Sequence, residues 1–230
     1  MADKFFKEET QGFTLKDKSV CIIGCGGLGT NIAVHFAGAG AGRIYLCDFD
    51  RVSKANLNRQ FFFTERDEGK SKCCVLTERL SDYAPDTEFV PVDKKIDSAE
   101  SLSFAKDSDV IICAADNALC RKAVSLFAEN AKVPAVFGSI DGFYGTAYLY
   151  VPFSSPCPEC AGVINDVAVG RSVSAVAGII GSMQANLAIR YLLTKDNSLA
   201  GKIFLFDGDL WDTLTVRANK ECKICNINEV

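Results

Sequence analysis

The stretch from Ser19 to Gln60 constrains this chain more than any other. An apolar run, Val20-Cys21-Ile22-Ile23, leads into Gly24-Cys25-Gly26-Gly27-Leu28-Gly29, and a helical pattern continues to about Gly40. A second apolar run, Arg43 to Cys47, ends at Asp48. Gly24, Gly26 and Gly29 fit G-x-G-x-x-G between a strand and a helix, with an acid about 20 residues on. The first glycine permits a tight turn, the second admits a phosphate to the backbone, and the third lets helix and strand pack closely. Free N–H groups at the helix start, Gly27 among them, favour phosphate. Asp48 is placed for ribose hydroxyls. The pattern predicts nucleotide binding without naming the nucleotide, and a glycine turn that only packs is the bland alternative.

Strand and helix patterns alternate along the rest of the chain. Helices are expected over 27–40, 69–83, 118–130 and 174–193. Strands are expected over 19–23, 43–48, 87–92, 109–113, 133–138, 145–151, 202–206 and 213–217. Residues 49–68 read as an irregular loop, residues 1–18 as a polar lead-in, and 162–171 as a flexible segment. This order predicts an α/β, Rossmann-like, doubly wound and mostly parallel sheet that continues into antiparallel strands. No repeat or linker divides it, so one domain over 1–230 is expected. The nucleotide-binding half would be about 19–140, and the remainder about 141–230.

Net charge is −4, which argues against a general nucleic-acid or anionic-membrane binder. The longest apolar stretch, Ala175 to Leu193, is interrupted by Gln184, Asn186 and Arg190, and reads as too polar to span a membrane. Met1 to Asp17 lacks the apolar core of a signal peptide. Together these features predict a reducing cytoplasm. The chain has 11 cysteines, and in that compartment paired cysteines more often bind metal than form disulfides. Cys157-Pro158-Glu159-Cys160 and Cys222-Lys223-Ile224-Cys225 are two C-x-x-C pairs, a donor set suited to a closed tetrahedral Zn²⁺ site that clips the tail. Cys21, Cys47, Cys113 and Cys120 read as small core hydrophobes.

The segment Asp48 to Gln60, with Asn56-Leu57-Asn58-Arg59 inside it, joins Gly24 to Gly29 in a more specific signature. Gly69-Lys70-Ser71-Lys72, Ala115-Asp116-Asn117, Gly181-Ser182-Met183-Gln184-Ala185 and both cysteine pairs follow in order. In these motifs the chain, over about residues 19 to 226, resembles the ThiF/MoeB/HesA family, bacterial relatives of ubiquitin-activating enzymes. The resemblance implies an ATP-dependent adenylyltransferase. Its substrate would be the C-terminal carboxylate of a small ubiquitin-like sulfur-carrier protein ending in Gly-Gly, with pyrophosphate released. Asp48 would hold the ribose, Asn56 and Asn117 would lie near the phosphates, and Arg59 and Lys72 would neutralise phosphate charge. Asp116 would hold Mg²⁺. Lys70 competes with Lys72 by proximity, and Asp116-Asn117 can equally cap the helix at Ala118. A homodimer is implied by the resemblance alone. Thiamine and molybdopterin branches share these motifs.

Three departures accompany the resemblance. No cysteine lies between Cys160 and Cys222, so adenylation is expected without a covalent carrier–enzyme step through the loop at 162–171. Residues 1–18 contain no arginine, where relatives use one to reach a partner's ATP site. Ala55 stands where the family often has serine. The second departure motivates an alternative: a family member that holds ATP and carrier with weakened turnover. Adenylation of a peptide substrate or modified RNA base, and nicotinamide oxidoreduction on the same glycine turn, are further alternatives. The last leaves Arg59 and Lys72 unexplained. His35, the only histidine, reads as packed or half-exposed rather than catalytic, and Phe61-Phe62-Phe63 as core or subunit-contact surface.

Overall fold

The computed structural model describes residues 14–165, 173–222 and 224–225. Its eight strands are β1 (Ser19–Ile23), β2 (Arg43–Cys47), β3 (Glu88–Val92), β4 (Val110–Cys113), β5 (Ala135–Asp141), β6 (Tyr144–Tyr150), β7 (Lys202–Phe206) and β8 (Trp211–Thr215). The helices are α1 (Gly27–Gly38), α2 (Lys72–Tyr83), α3 (Ala118–Ala131) and α4 (Ser174–Thr194). The strands form one sheet ordered β3-β2-β1-β4-β5-β6-β7-β8. Pairing is parallel from β3 to β5 and antiparallel from β5 to β8. This is the mixed, doubly wound sheet expected.

Alternation along the central strands builds two cores. Val20 and Ile22 of β1, Ile44 and Leu46 of β2, and Val110 and Ile112 of β4 face one layer with Ile32 and Phe36 of α1, Leu76 and Leu80 of α2, and Ile180 and Leu187 of α4. Cys21, Ile23, Cys47, Ile111 and Cys113 face the other with Leu102, Val124 and Phe127. Successive strand residues point to opposite faces, so a strand covered on both sides must be apolar throughout. Cys21, Cys47, Cys113 and Cys120 are buried core members, as expected. α4 is long and apolar enough to cross a membrane by length and composition, with half of that window buried. Its Gln184 is fully buried, and Val176, Ile180 and Leu187 pack into the core beside the sheet.

Several boundaries differ from expectation for local reasons. α2 starts at Lys72 rather than Gly69. Gly69 has φ +81, and Ser71 makes an isolated bridge with Arg51. β5 runs on to Asp141 and β6 begins at Tyr144, because Gly142, with φ +59, closes a tight hairpin between them. β8 begins at Trp211 rather than 213. The Asp207 carboxylate accepts the N–H groups of Asp209 and Leu210, so the turn is short and Phe206 pairs with Trp211. A 3-10 turn over Ala99–Ala105 was not foreseen, and two more, Lys54–Asn56 and Glu65–Asp67, shape the loop at 49–68.

The lead-in is not wholly peripheral. Leu15 is buried in the core, and its N–H donates to the Ala39 carbonyl. Residues 1–13 of the arginine-free lead-in and 166–171 of the expected flexible segment lie outside the described residues. Residues 162–165 are a turn. His35 is exposed and hydrogen-bonded to Ser182 Oγ at 2.8 Å. Phe63 is buried, Phe62 half-buried and Phe61 exposed.

Candidate nucleotide site and four-cysteine cluster

The glycine turn is held by contacts that leave no room for a side chain at Gly24 or Gly29. Gly24 has φ +97 and donates its N–H to Cys47 O at 2.8 Å, tying the turn to the end of β2. A Cβ on Gly29 would lie 1.8 Å from Gly24 O, so α1 rises directly against the turn. Above the turn is a cavity of about 230 Å³ at the carboxyl ends of the parallel strands. Ligands bind there in open α/β sheets.

Every residue expected to touch nucleotide or phosphate lines this cavity, except Gly29, which sets the turn's shape. Gly24, Gly26, Gly27, Asp48, Asn56, Arg59, Lys72, Asp116 and Asn117 all contribute to its wall. Asp48 is 8 % exposed. Its two carboxylate oxygens accept the N–H of Cys25 at 2.7 Å and of Asp50 at 2.8 Å. Burial pushes its pKa up, against the downward pull of those N–H donors and of Lys72. The acid is thus fixed in orientation before any ligand arrives.

Lys72 opens α2 and is 5 % exposed, with Nζ 2.9 Å from Asp50 Oδ2. Lys70 instead turns outward to Asp67, at 3.4 Å, and is not in the cavity wall. The Arg59 guanidinium donates to Asn58 Oδ1 at 3.1 Å, and to Asn56 Oδ1 and Ala55 O at 3.4 Å each. These bonds are weak and largely exposed, so they hold the guanidinium loosely. Ala55 is exposed in the same 3-10 turn. Asn117 caps α3, its Oδ1 accepting the Cys120 N–H at 2.9 Å. Asp116, one residue earlier, is exposed to the cavity and makes no hydrogen bond or ion pair with a described residue. Of the two, Asn117 is therefore the helix cap.

Other residues reach the cavity without having been expected. Lys94 and Lys95 follow β3, and Lys95 Nζ lies 5.8 Å from the Phe49 ring centre. Their place just past a parallel strand was the one available signal. Gln60, Ser139 and Ile140 also line it. So does Arg121, which is 2 % exposed. Ser139 and Ile140 are shared with a second, more apolar groove of about 350 Å³, walled by Tyr144, Leu205, Phe206, Leu210 and Trp211.

The second chemical feature lies between the β6 end and the tail. The Sγ atoms of Cys157, Cys160, Cys222 and Cys225 all lie within 4.8 Å of one another. Cys157 and Cys222 are 3.5 Å apart, and Cys160 and Cys225 3.7 Å. Tetrahedral thiolates at the usual zinc bond length would sit about 3.8 Å apart. The donor set and spacing therefore fit a zinc-type ion.

The ThiF family matches residues 2–225, nearly the whole chain. The protein belongs to the ThiF family. Among relatives, this ThiF-family chain is 32 % identical over 219 residues to the sulfur carrier protein ThiS adenylyltransferase of Escherichia coli, covering 92 % of this chain and 87 % of that one. It is 31 % identical to the sulfur carrier protein adenylyltransferase of Thermus thermophilus, covering 92 % and 83 %. It is also 31 % identical to the adenylyltransferase and sulfurtransferase MOCS3 of Aedes aegypti, but spans only 51 % of that longer protein. Among solved structures, E. coli MccB with ATP shares the fold with a TM-score of 0.82 at 23 % identity, over 92 % of this chain and 67 % of that one.

Proposed function

We propose that this ThiF-family protein adenylates the C-terminal carboxylate of a small ubiquitin-like sulfur-carrier protein, using ATP and releasing pyrophosphate. One observation carries the reading: Arg59, Lys72, Asp48, Asn56 and Asp116 converge on a single cavity over the glycine turn. Named relatives at about 30 % identity act as sulfur carrier protein adenylyltransferases, which supports the substrate class.

The chemistry follows from charge. A carboxylate must approach the α-phosphate while a pyrophosphate leaves, so two anions must meet. Backbone N–H groups of the turn and the α1 N-terminus would hold phosphate oxygens. Asp48, pre-oriented by Cys25 and Asp50, would accept the ribose hydroxyls. Lys72 and Arg59 would stabilise negative charge as it moves from the α-phosphate to the leaving group. Catalysis is then positioning and electrostatic stabilisation, with no covalent step by the protein. Mg²⁺, which Asp116 would hold, supplies further positive charge at the phosphates.

The apolar groove sharing Ser139 and Ile140 with the cavity suits an extended Gly-Gly tail entering from the carrier side. No cysteine lies between Cys160 and Cys222, so the acyl-adenylate would leave without a thioester there. The halves 19–140 and 141–230 would work as one unit, in a homodimer and in the cytoplasm. The four cysteines would hold Zn²⁺ as scaffold. Carrier-dependent exchange of labelled pyrophosphate into ATP tests the reading; no exchange with any Gly-Gly carrier of the source organism rejects it.

A second reading is an ATP- and carrier-binding protein with weakened turnover. It is favoured by the absence of arginine in residues 1–18. Against it, Lys94 and Lys95 bring extra positive charge to the cavity from within the same chain. ATP binding without pyrophosphate release would select it.

A further inference from the structure

Arg121 is a buried cation with no anionic partner among the described residues. It is 2 % exposed, and its guanidinium forms no ion pair with a described residue. Buried charges are normally paired. Here Nε donates to Ala115 O at 2.9 Å, Nη2 to Gly138 O at 2.8 Å, and Nη1 to Val163 O at 2.8 Å. An arginine has five N–H donors in a rigid planar fork, and one such fork here joins three separate segments. Ala115 precedes Asp116 at the cavity rim, Gly138 lies in β5 just before the cavity residue Ser139, and Val163 closes the turn that carries Cys157 and Cys160. That turn is itself tightly bonded: Ala161 N–H donates to Cys157 O, and Val163 N–H to Pro158 O.

We infer that Arg121 is a positioning residue that locks the Asp116 rim of the nucleotide cavity to the four-cysteine turn. It acts through backbone carbonyls, not by touching substrate. The four-cysteine site thereby helps set where Asp116 stands, beyond clipping the tail. The inference rests on the proposed adenylation only for its kinetic consequence; the mechanical coupling stands by itself. Groups that orient a metal-holding residue typically alter metal affinity or activity by about 10–100-fold when removed. A lysine keeps the charge but has one ammonium in place of the fork, so it can satisfy only part of the set.

The test uses the full chain with two variants, Arg121→Met and Arg121→Lys. Amide hydrogen exchange is followed over 114–117 and 161–165, with β1 and β2 as internal references. The Mg²⁺ concentration for half-maximal carrier-dependent ATP–pyrophosphate exchange is measured in parallel. The expected result is faster amide exchange at both segments in Arg121→Met, unchanged protection in β1 and β2, and a Mg²⁺ requirement raised about 10–100-fold. Arg121→Lys should recover part of both. A folded Arg121→Met with wild-type protection at 114–117 overturns the inference, as does an unshifted Mg²⁺ requirement alongside a lowered melting temperature. Should Arg121→Met not fold, wild-type behaviour of Arg121→Lys in both measurements overturns it equally. If the wild-type protein shows no adenylation, the functional reading falls, and the amide-exchange arm still decides the coupling.

Discussion

Lys72 Nζ sits 2.9 Å from Asp50 Oδ2 at the wall of the nucleotide cavity, with the lysine buried and the aspartate half-exposed. The pair is asymmetric. On the proposed function, a triphosphate entering the cavity would compete with Asp50 for the ammonium, and Asp50 would hold Lys72 in place until then. Lys72→Met is expected to lower carrier-dependent pyrophosphate exchange by about 10²–10³-fold, the usual cost of removing one electrostatic contact to a transition state. Lys70→Met should change it by less than about twofold, since exposed pairs such as Lys70–Asp67 contribute little. Steady-state exchange rates on the two variants check this.

The glycine turn makes opposite predictions at two positions. Gly29→Ala puts a Cβ 1.8 Å from Gly24 O, a backbone atom that cannot retreat without moving β1 or α1. It should destabilise the fold by at least about 1–3 kcal/mol. Gly26→Ala meets only Gln60 Nε2 at 3.5 Å. That variant should fold with little loss yet bind ATP poorly, because the added methyl occupies the space a phosphate needs. Thermal melts and ATP titrations distinguish the two outcomes.

Asp67 supplies a pH signature. It is buried in the loop, where it accepts the Thr64 N–H and Oγ1–H, each at 2.8 Å, and pairs with Arg79. Burial alone would raise its pKa, but the Thr64 donors and the Arg79 guanidinium outweigh it and hold the carboxyl well below its ordinary 3.8. A depressed carboxylate contributes stability above its unfolded pKa, and that contribution fades as pH falls toward the folded value. Asp67→Asn should therefore cost about 1–3 kcal/mol at neutral pH. The gap to wild type should narrow below about pH 3.9. Urea unfolding midpoints across that range test the sign.

The four-cysteine cluster predicts metal-dependent stability. The protein should carry about one zinc per chain by elemental analysis. Stripping it with a strong chelator should lower the melting temperature and release the tail to proteolysis near Cys222. The loss should be a fraction of the roughly 10 kcal/mol seen in small zinc peptides, since the sheet and its two cores remain. A chain that purifies without metal and melts identically with and without chelator would exclude the site.

What was legible in the sequence was local. The glycine turn, Asp48 after β2 and the two C-x-x-C pairs each satisfy constraints within a few residues, so their spacing alone carries the meaning. Choosing Lys72 over Lys70 was legible only through the family motif. The fold explains it: the α2 start turns Lys72 inward while Gly69 and Lys70 stay in the preceding loop. The element limits that moved were set at α2 by the Gly69 turn and the Ser71–Arg51 bridge, at β5 by hairpin register and at β8 by one aspartate capping its own turn, none of which a periodic pattern encodes.

Sequence by itself determined the alternating α/β order, the glycine turn, the cysteine donor set and the kinship. These follow from residue type and short-range spacing. Tertiary structure alone decided that Lys94, Lys95, Gln60 and Arg121 belong to the same cavity. They lie on separate segments whose meeting depends on the strand order β3-β2-β1-β4-β5. It also decided that Asn117 caps the helix while Asp116 is exposed at the cavity wall with no partner among the described residues. The physical reason is common to both. A parallel sheet gathers the carboxyl ends of distant strands at one edge, and which side chains meet there is set by crossover and register, not by proximity along the chain.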